Sequence, residues 1–201
     1  MLSLQPNALT KRENYHLLST TIVPRPIAFV TSLSDSGVLN GAPFSFFNVV
    51  SAEPPLISIS IGRKNGVKKD TARNILDNEE FVVHVTDETN VIGVNRTAAN
   101  LPPDESEISL VDFNRVESTV VKVPGIAESP VRIECKLEKH LVFQEGETMT
   151  DFIIGRVVHY HIKEDMYVDG KVNPSEMKPV GRLGGAEYSK IGEVFELQRP
   201  K

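Results

Sequence analysis

Apolar and polar residues alternate with a period of two along much of the chain. In Leu56-Ile57-Ser58-Ile59-Ser60-Ile61-Gly62 the isoleucines point one way and the serines the other. That is the pattern of a strand with one oily and one polar face. The run PIAFVTSL (26–33) predicts a second strand, closed by the turn signal Ser34-Asp35-Ser36-Gly37. Extended character resumes in VLNGAPFSFFNVVS, so the two segments read as a hairpin. EFVVHVTD (80–87) predicts another strand. Val131 to Glu138 alternates without a break, then loses phase near Lys139-His140-Leu141, where a bulge is expected. DFIIGRVVHYHI (151–162) predicts a further long strand.

Helical signals are fewer. Asp70-Thr71 before ARNILDNEE reads as an N-cap and a short helix, with Ala72, Ile75 and Leu76 facing inward. TNVIGVNRTAAN (89–100) predicts a second helix, weakened by Gly93, and LPPDESEIS (101–109) a loop. Short strands, Gly/Pro turns and connecting helices point to a mainly β fold, a barrel decorated with short helices. No repeat, low-complexity run or linker divides residues 1–201, so a single domain is expected.

Composition narrows the function. The formal net charge is −5, which argues against a general affinity for nucleic acid or acidic membranes. No apolar run approaches the ~20 residues of a membrane span, and the N-terminal segment MLSLQPNALTKRENYHLL has no continuous apolar core. The expectation is a soluble cytoplasmic protein. The one cysteine, Cys135, excludes an internal disulfide and a CxxC motif. It lies on the apolar face of its strand and reads as a core thiol.

Chemistry-bearing residues are sparse. There is no G-x-S-x-G elbow. His159 and His161 share a strand face and could share a metal, but no neighbouring Cys or carboxylate in sequence completes a motif, so no metal site is expected. Glu79-Glu80 and Asp104/Glu105/Glu107 read as a helix end and a solvated loop. The stretch GRKNGVKKDTARN (62–74) is basic in an acidic protein. It is either a solvated turn or an anion grip in which Lys69 and Thr71 stand at a helix N-terminus with free N–H groups. It lacks the spacing of a nucleotide-triphosphate P-loop. In APFSFFN (42–48), Phe46 and Phe47 face opposite sides, which leaves one ring for a ligand, a subunit or a helix.

Taken in order, Arg25-Pro26-Ile27-Ala28-Phe29-Val30-Thr31, Ala42 to Asn48, Pro54-Pro55-Leu56, Ile61-Gly62-Arg63, Lys69-Asp70-Thr71-x-x-Asn74-Ile75, Ala127-Glu128-Ser129-Pro130 and Pro179 to Gly185 with Tyr188 resemble the flavin reductase-like, FMN-binding split-barrel family. The motifs keep register over roughly residues 20–200. The resemblance implies a six-stranded antiparallel Greek-key split β-barrel with added short helices, usually a homodimer. The core would span about 20–165, and a C-terminal extension, 166–201, would pack on the barrel or the dimer partner. FMN is the implied cofactor. By position, Ser45, Arg63, Lys69 and Thr71 would hold its phosphate and ribityl chain. Thr31, Ser32, Leu33, Phe46, Phe47 and Asn48 would touch the ring or its polar edge. Ser60, Ile61 and Gly62 would pass beside the flavin through their backbone. Lys64, Lys68 and Arg73 would stay solvated, and the Gly181–Gly185 turn would shape the pocket mouth or a dimer contact. The implied reaction is hydride transfer from NAD(P)H to FMN and on to an acceptor such as a monooxygenase partner. No catalytic triad is required, because the flavin carries the chemistry. The alternative is a non-enzymatic, flavoredoxin-like electron carrier reduced by a protein partner. The chain has no tryptophan, so any indole role in relatives falls to Phe or Tyr.

Overall fold

Fourteen strand segments carry the fold of this computed structural model, which describes residues 1–200. In chain order they are β1 (Arg25–Pro26), β2 (Ala28–Leu33), β3 (Leu39–Phe44), β4 (Phe47–Ala52), β5 (Pro55–Gly62), β6 (Glu80–Val85), β7 (Arg115–Val116), β8 (Gly125–Ile126), β9 (Val131–Glu145), β10 (Thr148–Ile162), β11 (Tyr167–Val168), β12 (Lys171–Val172), β13 (Val180–Arg182) and β14 (Tyr188–Lys190). Four α-helices connect them: α1 (Lys11–Thr21), α2 (Asp70–Asn78), α3 (Val91–Arg96) and α4 (Pro174–Met177).

The main sheet has seven strands in the order β3-β2-β6-β9-β10-β5-β4, all antiparallel, one more than the six expected. The extra count arises because VLNGAPFSFFNVVS bends at Ser45-Phe46 and contributes two strands. Those two strands lie at opposite edges of the sheet. The chain from Phe44 to Phe47 spans at most roughly 10 Å, so the edges must approach and the sheet must curl on itself. The two edges share no ladder; Ser60 N donates to Phe46 O at 2.9 Å, which extends the β4–β5 pairing into the corner.

Strands in the curl are buried on both faces. Ala28 and Val30 of β2, Phe81 and Val83 of β6, and Ile57, Ile59 and Ile61 of β5 enter one apolar cluster. Phe29 and Val82, on the opposite face of the same strands, enter a second with Ile108, Val121 and Ile126. Cys135 sits in the first cluster, fully buried as a core thiol, with its pKa pushed up by desolvation. The β9–β10 pairing shifts register between Ile154/Gly155, where Glu138 is the unpaired residue, close to the expected bulge. A second shift falls between Val157 and His159.

Helix α2 begins at Asp70, with Lys69 rather than Asp70 as its N-cap, and stops at Glu79, which adopts a left-handed φ of 58°. Ala72 and Ile75 are buried in the first cluster as expected, whereas Leu76 is half-buried. Helix α3 is shorter than the 89–100 segment, and its Gly93 backbone lies against the Phe113 ring, leaving no room for a side chain. Helix α1 was not anticipated. Thr10 and Glu13 cap it reciprocally: Glu13 N donates to Thr10 Oγ1 at 3.2 Å and Thr10 N to Glu13 Oε2 at 2.7 Å. At the C-terminal end, β13 pairs with β1 and β14. No helix among the described residues is long and apolar enough to cross a membrane.

Candidate functional site

The β3–β4 corner separates two hollows. The first, about 410 Å³, lies at the N-terminus of α2 and is lined by Asn40, Ala42 to Phe44, Lys64, Lys68, Lys69, Thr71 and the 97–101 segment. The second, about 370 Å³, is lined by Ser45 to Asn48, Ser58 and Ser60, with Pro24 to Pro26 and the α1 residue Leu18 opposite. Each hollow falls within the size range of small-molecule sites.

The first hollow sets three lysines beside a helix N-terminus, with the carboxylates of Asp70 and Glu107 also in its lining. Lys69 caps α2 with extended backbone and no side-chain hydrogen bond, so the first-turn N–H groups keep no side-chain acceptor. Lys64, Lys68 and Lys69 are exposed at its rim, and none pairs with a carboxylate among the described residues. Beneath them a polar network pins the helix to the sheet. Thr71 Oγ1 donates to Asn40 Oδ1 at 2.7 Å, and Ser32 Oγ donates to the same atom at 3.2 Å. Asn74 Nδ2 donates to Ser32 Oγ at 3.3 Å. Asn40 Nδ2 donates to Glu107 Oε2 at 2.8 Å. Burial raises the Glu107 pKa, against the pull of hydrogen bonds from backbone N–H groups and Asn40.

The second hollow has an apolar and a polar wall. Ser58 and Ser60 come from the polar face of β5, opposite the isoleucines that fill the core. Phe46 is 45% exposed and lies 5.9 Å, ring centroid to guanidinium carbon, from Arg25. Arg25 is otherwise a tie. Its Nη atoms donate to Ser19 O, Ile22 O and Leu183 O at 2.5, 2.7 and 2.7 Å. Its Nε is buried with no partner among the described residues. This arginine therefore links α1, β1 and the Gly181–Gly185 turn. That turn packs behind the hollow: a Cβ on Gly181 would stand 2.6 Å from Pro24, and one on Gly184 would collide with Thr20.

The expected site residues divide into three groups. Ser45, Phe46, Phe47, Asn48 and Ser60 converge on the second hollow, and Lys69 and Thr71 on the first. Thr31, Ser32, Leu33, Ile61 and Gly62 line neither. Thr31 is buried and donates to Pro124 O at 2.8 Å, Ser32 belongs to the network under α2, and Ile61 is core. Arg63 also lines neither; its guanidinium is engaged by the buried carboxylate of Asp151. Asn40, Arg25 and Ser58 were missed. Ser58 was legible, since it shares the serine face of β5 with Ser60; the other two have partners brought near only by sheet register.

Known proteins place this geometry. The family model for the flavin reductase like domain matches residues 20–175. Nitrilotriacetate monooxygenase component B from Bacillus cereus superposes with a TM-score of 0.96 at 50% identity, covering 98% of this chain and 98% of its own. The 2-nitrobenzoate 2-nitroreductase of Pseudomonas fluorescens gives 0.89 at 32% identity, covering 99% and 96%. A protein with a split barrel domain from Shewanella frigidimarina gives 0.83 at 20% identity, covering 96% of each chain, and shares the fold. The curled seven-stranded sheet is thus of the split-barrel type, and the chain belongs to the flavin reductase-like domain family.

Proposed function

We propose that the protein is an FMN-dependent oxidoreductase that takes a hydride from NAD(P)H and passes reducing equivalents to an acceptor, with a monooxygenase as the partner class. The carrying observation is the pair of hollows flanking the β3–β4 corner, one rimmed by lysines and helix N–H groups, the other walled by serines and a phenylalanine ring. The donor chemistry fits FMN: a dianionic phosphate suits the first, and a flat, polar-edged ring suits the second. The 50% identity to a monooxygenase component over nearly the whole chain supports the partner class.

In this reading Lys69, Lys68 and the α2 N-terminus hold the phosphate. Thr71 acts mainly by fixing the helix through Asn40. Ser45, Asn48, Ser58 and Ser60 offer hydrogen bonds to the polar edges of the ring and ribityl chain, and Phe46 and Phe47 exclude water. The flavin, when bound, supplies the hydride-accepting chemistry; the chain supplies position and a dry wall. Exposed Val49 and Val50 on edge strand β4, and Leu141 to Phe143 on the β9–β10 hairpin, support a homodimer.

Anaerobic titration of the purified, FMN-loaded protein with NADH and NADPH tests the reading. Bleaching of the yellow flavin by one nicotinamide is expected. A saturated yellow protein that neither nucleotide bleaches would overturn it and favour the electron-carrier alternative.

A further inference from the structure

The polar face of β9 and β10 carries a cluster unrelated to the two hollows. His159 and His161 stand two apart on β10, and Glu134 lies directly opposite His159 across the β9–β10 pairing. One ligand atom from each of the three lies within 4.8 Å of the others. In sequence Glu134 sits 25 residues upstream of His159, too far to read as a third donor; strand pairing brings it in.

We propose that Glu134, His159 and His161 form a binding site for one divalent transition-metal ion, zinc in the first instance. Two imidazoles and one carboxylate are a three-ligand set that zinc accepts while keeping a fourth position open. The carboxylate is held in advance. Thr119 N donates to its Oε1 at 2.6 Å, and Val120 N and Val121 N donate to its Oε2 at 2.7 and 2.9 Å. These bonds fix the plane of the group, as outer-sphere partners fix metal ligands elsewhere. They leave one lone pair on Oε1, which meets His161 Nε2 at 2.5 Å. His159 has no hydrogen-bond partner, yet its ring lies 4.7 Å, centroid to centroid, from that of His161. A half-buried imidazole beside an existing carboxylate–imidazole pair is placed to serve as a third ligand.

Binding requires the three ligand atoms, now within 4.8 Å of one another, to draw to a common centre. The proton that His161 donates through Nε2 moves to Nδ1, freeing the Nε2 lone pair. The His161–Glu134 separation then opens to about 3.3 Å, the spacing of two donors each about 2.0–2.1 Å from a tetrahedral zinc. Arg132, which with His161 and Lys163 lines an adjoining hollow of about 460 Å³, would favour an anionic oxygen donor or water in the open position. The site stands independently of the flavin reading.

The test is calorimetric titration of untagged, chelator-treated protein with Zn²⁺, together with visible absorption on adding Co²⁺. One equivalent per chain is expected, with Co²⁺ bands typical of a four- or five-coordinate site. His159→Ala, which breaks no hydrogen bond, should retain the metal-free melting temperature and weaken Zn²⁺ at least tenfold. His161→Ala should do the same to affinity. His16→Ala, on exposed α1, should change nothing. Absence of saturable binding, or binding that survives His159→Ala unchanged, would overturn the proposal.

Discussion

Arg63 and Asp151 meet as a two-pronged pair: Nε donates to Oδ2 at 2.9 Å and Nη2 to Oδ1 at 2.8 Å. His140 Nε2 reaches the same Oδ1 at 2.9 Å. The carboxylate has no solvent exposure, and it joins the end of β5 to β9 and β10 at the root of the lysine-bearing 63–69 loop. Burial pushes the Asp151 pKa up, but the bonds from Arg63 and His140 outweigh it and hold the pKa below its ordinary value. The sign follows: this group contributes stability above the ordinary carboxylate pKa of ~3.9, and the contribution is lost as pH falls through the lower folded value. Asp151→Asn should lower the urea midpoint, costing on the order of 1–3 kcal/mol near neutral pH as buried donors lose an ionised acceptor. The difference from the parent protein should shrink below about pH 4. Urea melts of both proteins at pH 7 and pH 3.5 check this.

Lys69→Ala tests the anion grip. The side chain is exposed and has no bonding partner, so the fold should be indifferent to its loss. A charge-assisted hydrogen bond to phosphate contributes about 1.5–3 kcal/mol. FMN affinity should therefore fall at least about tenfold, while riboflavin affinity stays within about twofold. Fluorescence titration with both flavins reads the ratio; equal weakening of the two would remove the phosphate from this hollow. Thr71→Ala should behave differently, because it breaks a buried bond to Asn40. It should lower the melting temperature as well as the affinity.

Much of this was legible in local pattern. LISISIG separated its core face from its polar face, since a strand's period of two makes that division unavoidable, and the polar face borders the second hollow. The cationic turn before a helix read as either a solvated turn or an anion grip, and Lys69 does border a hollow at the α2 N-terminus. What escaped depends on register between distant strands. Arg63 looked free for a phosphate because its partner, Asp151, lies 88 positions away. Alternation puts Glu134 on the face opposite Cys135, and nothing local shows that the 118–123 segment folds over that face and donates three N–H groups to its carboxylate. Helix α1 is a different case. Its Thr10-x-x-Glu13 capping signature is local and readable, and it was obscured by the weak apolar periodicity behind it.

Gly155 shows how tightly the curl is packed. It lies on β10 at a register shift, and a Cβ there would overlap the Phe81 ring and approach Cys135 Cβ at 3.4 Å. Phe81 is fully buried in the first cluster and has nowhere to move. Gly155→Ala should destabilise by about 1–3 kcal/mol, the usual cost of overpacking a close-packed core. Gly37→Ala is a useful contrast. It meets no neighbour but holds φ at +81°, so its smaller cost is backbone strain alone. Parallel urea melts should rank Gly155→Ala as the more damaging; the reverse order would place the tight contact elsewhere.

His84 should make folding sensitive to mild acid. Its ring is fully buried between two backbone groups: Nδ1 donates to Phe29 O at 3.0 Å, and Nε2 accepts from Ile126 N at 3.0 Å. That pattern requires the neutral tautomer. Desolvation pushes the imidazole pKa down to about 3, and the charges of Arg132 and His161 add to the effect against the pull of the Phe29 carbonyl. In the unfolded chain the same group titrates near ~6.5. Between those values the unfolded state binds one more proton than the native state. Stability should therefore be fully present above about pH 6.5 and fall by about 1.4 kcal/mol per unit as pH drops toward the folded value. Between about pH 6.5 and 5 most carboxylates are still ionised, so the slope there reports chiefly on histidine. His84→Leu should be less stable at neutral pH, because it leaves Phe29 O and Ile126 N unpaired, and it should also lose most of this slope. Chemical denaturation at half-unit pH steps measures both; a variant that kept the parent's full slope would show that the acid sensitivity arises at another group.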